Sequence, residues 1–167
     1  MGGHKLFKVF DQDFDTGTSS VTYELDPIDL SSALFCVITV ILTKADTGAG
    51  DILDVSFQET EDRVTWNRRA RFPNLIGTLT ASATAPEKYQ QTISSKQDLT
   101  TSEESYEPDG SAGATALAAD TVIHGPLRRP VRGSTGKLTA HRVVLTVTNA
   151  TAADFEGVLT VHAAFPL

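Results

Sequence analysis

The segment "SALFCVITVILT", residues 32–43, constrains the fold of this chain more than any other. Val, Ile, Thr and Phe make up seven of its twelve residues, and these residue types favour strands. Because it is apolar on both faces, we predict a central strand that is covered on both sides. Its apolar run, 33–42, is too short to span a bilayer. Cys36, the single cysteine, lies within it and is expected to be a small buried core residue.

The rest of the chain has the same character. Short runs of Val, Ile, Thr, Phe and Tyr are separated by Gly, Pro, Asp, Asn and Ser, a pattern typical of strands and turns. No segment has a convincing helical periodicity. With 167 residues, the chain is predicted to form a single all-β domain, a jelly-roll-like β-sandwich. The further strands are predicted at 4–10, 21–26, 51–60, 64–72, 77–84, 87–94, 138–150 and 156–165.

Residues 51–72 are predicted to form a hairpin across the turn "TEDR". Side chains alternate along its first strand, with Leu53, Val55 and Phe57 facing one way and Ile52, Asp54, Ser56 and Gln58 the other. Alternation along the second strand places Arg69 and Arg71 on one face and Arg68 on the other. Trp66 is expected to anchor the hairpin against the core.

Residues 97–136 interrupt the regular spacing of strands. The segment is rich in Ser, Thr, Gly, Ala and Pro, and a compact domain rarely carries so long an irregular stretch unless it is functional or disordered. Apolar residues are spaced through it, so we predict an ordered excursion that packs on its own domain or on a neighbour. Tyr106 and the basic cluster Arg128, Arg129 and Arg132 lie within it.

Two Asp-Thr-Gly motifs, at Asp15 and Asp46, raise the possibility of an aspartic protease dyad. They lie too close in the chain for two lobes, and neither Asp follows the apolar strand residues that would bury it. Both are therefore interpreted as turns. Asp11, Asp13 and Asp15 are spaced like the start of a calcium loop, but the Gly, Glu and helices of an EF-hand are missing. A looser calcium site stays open.

The sequence gives little support to a nucleophilic, phosphate-binding or metal site. No Ser or Cys lies in a nucleophile elbow, no Gly-rich loop matches a phosphate-binding pattern, and the four histidines lack metal-ligand spacing. We therefore predict no enzymatic activity, no cofactor and no metal. The net charge of −7 argues against nucleic-acid binding. The N-terminus lacks the apolar stretch of a signal peptide, so secretion by that route is not expected, and no membrane association is predicted.

Two basic clusters stand out in an acidic chain: Arg68, Arg69 and Arg71, and then Arg128, Arg129 and Arg132. One interpretation is a solvated strand face and a basic loop. The other is an interface whose guanidinium groups bind carboxylates of a partner or of a second copy. With Tyr106, these six arginines are the interface candidates.

The hairpin resembles one that recurs in small β-sandwich structural proteins of tailed phages. The resemblance rests on the series Asp54 to Gln58, a charged turn, Thr65-Trp66 and the series 70–72. The turn departs from the usual Ser-Pro-Asp-Gly form, since this chain has "ETEDR" there. The stretches "SYEPDGSAG" and "RVVLTVTNATAADFEGVLTV" have a similar character. The resemblance implies a virion protein that decorates or completes the head and acts through its surfaces.

The expected function is thus non-enzymatic. We expect a homo-oligomeric capsid decoration protein that docks on the major capsid protein lattice and stabilises it, in virions assembled in the host cytoplasm. A neck or tail component is equally compatible with the fold. The alternative from another class is a carbohydrate-binding jelly-roll module. Such modules usually present aromatic platforms, whereas aromatic content here is 7%, with one Trp.

Overall fold

The computed structural model describes ten strands and no helix. The residues it describes are 3–17, 22–24, 26–46, 52–60, 64, 66–72, 75–76, 87–94, 121–122, 127, 140–148 and 154–167. Within them there is no helix of the length and apolarity needed to cross a membrane. The strands are β1 (His4–Asp15), β2 (Thr22–Glu24), β3 (Phe35–Asp46), β4 (Ile52–Thr60), β5 (Asn67–Arg71), β6 (Leu75–Ile76), β7 (Glu87–Ser94), β8 (Thr121–Val122), β9 (Ala140–Thr148) and β10 (Asp154–Pro166).

The strands form two antiparallel sheets. Sheet A has the order β1-β10-β3-β7, and sheet B has the order β2-β9-β4-β5-β8, with β6 also paired to β4. The pairings are nested: β1 with β10, β2 with β9, β3 with β7, and β4 with β5. This is the arrangement of one long hairpin rolled into two sheets, the jelly-roll topology. The predicted jelly-roll-like β-sandwich is confirmed.

The core lies between the two sheets and follows from alternation along the strands. In β10 each second residue from Phe155 to Ala163 is buried, and the residues between them are partly exposed. Leu53, Val55 and Phe57 of β4, which were predicted to share one face, all face this core from sheet B. Their apolar side chains leave water together, and this burial is the main stabilising contribution to such a fold.

Strand β3 is central, as predicted, because β10 and β7 flank it. Its inward residues Cys36, Ile38 and Val40 are fully buried. On the outward face Thr39 is buried, whereas Val37 and Ile41 are only partly buried, so the predicted cover on both sides is present only in part. The reason is position: this face of sheet A is an outer surface of the sandwich.

Strand β1 is longer than predicted. It continues beyond Phe10 because Phe14 turns into the core, while Asp11, Asp13 and Asp15 point to solvent. The chain then turns at Gly17, whose φ is 57° and whose N–H donates to Asp15 Oδ1 at 2.8 Å. The first Asp-Thr-Gly motif is therefore a turn, as interpreted. In the second motif, Asp46 ends β3, and residues 47–48 lie outside the described residues.

Part of the 97–136 excursion packs on its own domain. Thr121 and Val122 form β8, which pairs with β5, and Leu127 belongs to the buried core. The rest of the excursion lies outside the described residues, as does the predicted strand 77–84. The strand predicted at 87–94 is β7, which pairs with β3 in sheet A.

Candidate interaction surface

A β-bulge in β5 decides where the first arginine cluster lies. Phe57 of β4 is opposite Ala70, whereas the next residue, Gln58, is opposite Arg68, so Arg69 is the extra residue of the bulge. Arg71 lies opposite Ser56, which shares a face with Gln58. Arg68 and Arg71 therefore lie on the outer face of sheet B, while Arg69 points inward. The predicted pairing of Arg69 with Arg71 on one face is wrong, because a bulge breaks the two-residue alternation.

Arg69 is fully buried and bound to a fully buried carboxylate. Its Nη1 donates to both Glu59 Oε1 and Oε2 at 3.0 Å. A buried charge of this kind needs a partner because desolvation of an unpaired ion costs several kcal/mol. Arg69 is thus part of the interior and is excluded from any surface that meets another protein.

His141 completes the buried polar group. Its Nδ1 accepts the N–H of Leu30 at 3.1 Å, so the ring proton resides on Nε2, which lies 3.9 Å from Glu59 Oε2. Nε2 has no hydrogen-bond partner among the described residues. The ring stacks on Phe57 with centroids 5.7 Å apart. Burial lowers the pKa of His141 to about 4, against a smaller opposing effect of the Asp29 charge.

The outer face of sheet B carries a second polar group around Arg142. Its Nε donates to Gln58 Oε1 at 2.9 Å, and its Nη1 lies 2.7 Å from Glu24 Oε2. The guanidinium lies over the Trp66 ring, 4.0 Å from the centroid. Trp66 is partly exposed and packs on this cation on the outer face, so the predicted anchoring against the core is wrong. The sequence offers no local sign of this contact, because Arg142 comes from β9.

Arg71 is also engaged within its own sheet. Its Nε donates to Asp54 Oδ1 at 2.8 Å, and both side chains are largely buried. Its backbone carbonyl accepts a hydrogen bond from Gln91 Nε2 of β7 at 3.0 Å. The carboxylate that this arginine binds thus belongs to the same chain.

Acidic side chains gather at the end of sheet A where β10 begins. Carboxylate oxygens of Asp15, Asp154 and Glu156 lie within 4.8 Å of one another. The Lys44 ammonium donates to Asp154 at 2.5 Å and to Glu156 at 3.1 Å, and these hydrogen bonds raise the pKa of Lys44. Asp11, Asp13 and Asp15 lie on one face of an extended strand and not in a loop. The looser calcium site that the sequence left open stays a hypothesis.

The opposite end of sheet A is apolar. Leu6, Phe7, Leu34 and Leu167 are 51%, 43%, 41% and 85% exposed. Leu6 and Phe7 lie opposite Ala164 and Ala163 of β10, the Leu34 N–H donates to the Ala164 carbonyl, and the Leu167 N–H donates to Gly3. These four side chains, which we call the apolar end, therefore surround one corner of the sandwich. Among the described residues, only Val64 is a large apolar side chain of similar exposure located elsewhere.

Sequence reasoning missed the apolar end. Leu6 and Phe7 are adjacent in β1, so one would be expected to face the core and the other solvent. Both side chains are exposed because they lie at the tip of the sheet, and this position depends on the nested pairing of the strands. The predicted candidates Tyr106, Arg128, Arg129 and Arg132 lie outside the described residues.

A cavity between the two sheets is too small for a substrate. It measures about 10 Å³, room for roughly one water molecule, and lies among Phe10, Phe57 and Val161. Comparison of the chain with protein-family models, with curated proteins and with solved structures gives no match.

Proposed function

We propose that this protein is a non-enzymatic structural component of a tailed-phage virion that decorates the head by docking on the major capsid protein lattice. The observation that carries the proposal is the apolar end. Soluble monomers rarely leave several large apolar side chains exposed together, and such patches mark surfaces that meet another protein. The jelly-roll topology is used by viral capsid domains, and the β4–β5 hairpin carries the resemblance to phage head proteins.

The ion pairs within the chain support a function that the protein carries out through its surface. The described arginines Arg69, Arg71 and Arg142 bind carboxylates of their own chain. These pairs join neighbouring strands of sheet B, β4 to β5 and β2 to β9. A sheet braced by such pairs, with one apolar corner, suits a protein that reinforces a lattice, because side chains that are already held in place lose little entropy on docking.

Binding to heads tests the proposal. Purified protein is added to heads of the encoding phage that were assembled without it, and the heads are sedimented. We expect bound protein to saturate at a fixed ratio to the major capsid protein. The double change Leu6→Ser and Leu34→Ser should weaken binding roughly 10-fold or more, since burial of an exposed Leu is worth about 1.5–3 kcal/mol.

Val64→Ser is the matched control, because Val64 is 82% exposed and lies outside the apolar end. It should bind like the wild type. Absence of the wild-type protein from sedimented heads would contradict head decoration, and binding to purified tails or necks would assign it there. Equal binding by all variants would contradict a role of the apolar end.

Carbohydrate binding is the second candidate. Trp66 is partly exposed on the outer face of sheet B and packs on Arg142, and an aromatic ring next to a polar group is a common way to hold a sugar. The guanidinium occupies one face of the ring, so only the other face could stack on a ligand. Glycan binding by the wild type that is lost in Trp66→Ala would favour this candidate over head decoration.

A further inference from the structure

Strand β1 is a long, exposed edge. It pairs with β10 on one side, and among the described residues no strand pairs with its other side. Nine of its twelve residues are exposed. An edge of this length presents a row of unpaired backbone N–H and C=O groups to which another strand can add.

The charges along β1 are separated by sign. Lys5 and Lys8 lie in its first half, and Asp11, Asp13 and Asp15 lie in its second half. Charges on an edge strand usually prevent unwanted pairing. Here an approaching antiparallel copy of β1 would align each positive half with a negative half, whereas a parallel copy would align like charges. The edge is therefore complementary to itself in one orientation.

The bulge in β1 brings the two charges nearest the middle of the strand to the same face. Lys8 lies opposite His162 of β10, and Phe10 lies opposite Val161, so Val9 is the extra residue. Asp11 lies opposite Thr160, two residues from His162, so Lys8 and Asp11 share the outer face of sheet A. Cross-strand ion pairs require side chains on one face, and the bulge supplies that condition.

We propose that two copies of this chain associate through β1, antiparallel, about a two-fold axis that passes between Val9 and Phe10. Lys8 of each copy then lies opposite Asp11 of the other, and the two A sheets join into one. Such an interface is isologous, as in most dimers. Within one copy, Lys8 and Asp11 bind each other and are about half exposed (52% and 46%). An exposed ion pair of this kind contributes little to stability, so Lys8 and Asp11 can readily give it up for ion pairs between copies.

Complementary charge variants test this interface by analytical ultracentrifugation. The wild type should be a dimer. Lys5→Glu with Lys8→Glu removes both lysines of the strand and leaves it acidic, and Asp11→Lys with Asp13→Lys leaves it basic, with Asp15 as its one carboxylate. Each variant alone should dissociate about 10-fold or more readily, because like charges then oppose one another. An equimolar mixture of the two should form a heterodimer.

Lys88→Glu is the control, because Lys88 is exposed on β7, the other edge of sheet A. It should remain a dimer. A monomeric wild type at about 100 µM, dimers of both variants alone, or a mixture that stays monomeric would each overturn the proposal. Should a double variant fail to fold, Lys8→Glu and Asp11→Lys replace the pairs. The inference does not depend on head decoration, since dimerisation is measured without heads.

Discussion

Arg69 and Glu59 are the residues on which the interior of sheet B depends. Both side chains are fully buried, and one guanidinium nitrogen binds both carboxylate oxygens. Replacing a buried ion pair with apolar residues can be neutral, whereas removing one partner leaves a buried charge without compensation. The pair is therefore expected to act as a unit.

Arg69→Met alone should lower the free energy of unfolding by about 3–5 kcal/mol, and so should Glu59→Leu alone. The double variant should lose clearly less than the sum, because no uncompensated charge remains. Urea unfolding of the four proteins measures this coupling. Additive losses would contradict the assignment of the two residues to one buried pair.

His141 predicts a loss of stability in acid. Burial lowers its pKa to about 4 in the folded protein, below about 6.5 in the unfolded chain. Above pH 6.5 the imidazole is neutral in both states, so its titration does not change the free energy of unfolding. As the pH falls toward 4 the unfolded chain takes up a proton that the folded protein does not, so stability falls by up to about 1.4 kcal/mol per pH unit.

Denaturant unfolding between pH 7 and pH 4 measures this loss. In His141→Gln the part of the pH dependence of the free energy of unfolding that is due to this imidazole should disappear. In His162→Gln, a half-buried residue on the outer face of sheet A, it should remain. The same slope in His141→Gln and in the wild type would show that another group is responsible.

These residue-level features could be predicted from the sequence only in part. The alternation of β4 correctly grouped Leu53, Val55 and Phe57 on one face, which is the face that packs in the core, because burial follows the two-residue period of a strand. The face on which Arg69 lies could not be predicted, since one extra residue in β5 reverses the alternation of faces. No residue pattern in the sequence indicates this bulge. The partner of Trp66 comes from a strand more than 70 positions away, which local patterns cannot reveal.

At the scale of elements, bulges and close approaches shape sheet A. Gly157 follows a shift of register between β10 and β3, in which Thr43 is the extra residue. A Cβ at Gly157 would lie 2.3 Å from the Ile41 carbonyl oxygen and 2.8 Å from Phe14 Cζ. Neither a backbone carbonyl in a central strand nor a buried aromatic ring can move away readily. Glycine is therefore required here for space.

Gly157→Ala should lower the free energy of unfolding by about 1–3 kcal/mol or more through overpacking. Gly17 provides the comparison, because a Cβ there meets nothing within 4 Å but the φ is positive. Gly17→Ala should cost roughly 1 kcal/mol, and Gly17→Asn less, because Asn tolerates this conformation. Thermal unfolding separates the two cases. A harmless Gly157→Ala would contradict the described packing of β10 against β3 and β1.

The strands themselves were largely predictable, because runs of β-branched and aromatic residues between turn residues define them. The end of β1 was not. "DQDFDTG" reads as a loop by its composition, but Phe14 has a place in the core, and this tertiary contact keeps Asp11 to Asp15 extended. Packing thus overrides local preference at this element.

For the whole molecule, the nested pairing of strands creates the surfaces on which the proposed function depends. It brings the start of β1, the end of β10 and the entry to β3 to one corner, where Leu6, Phe7, Leu34 and Leu167 are exposed. The same pairing leaves β1 as an edge. The jelly roll could be predicted as a class from the number and spacing of strands, but the corner could not, since its residues come from both ends of the chain.

The central claim is that the protein decorates the head and that its apolar end faces the lattice. Cryo-electron microscopy of virions from the encoding phage tests it most directly. We expect jelly-roll density at regular positions on the capsid shell, with Leu6, Leu34 and Leu167 against the major capsid protein. Density for this protein at the neck or tail, or on the shell with those residues facing solvent, would contradict the account.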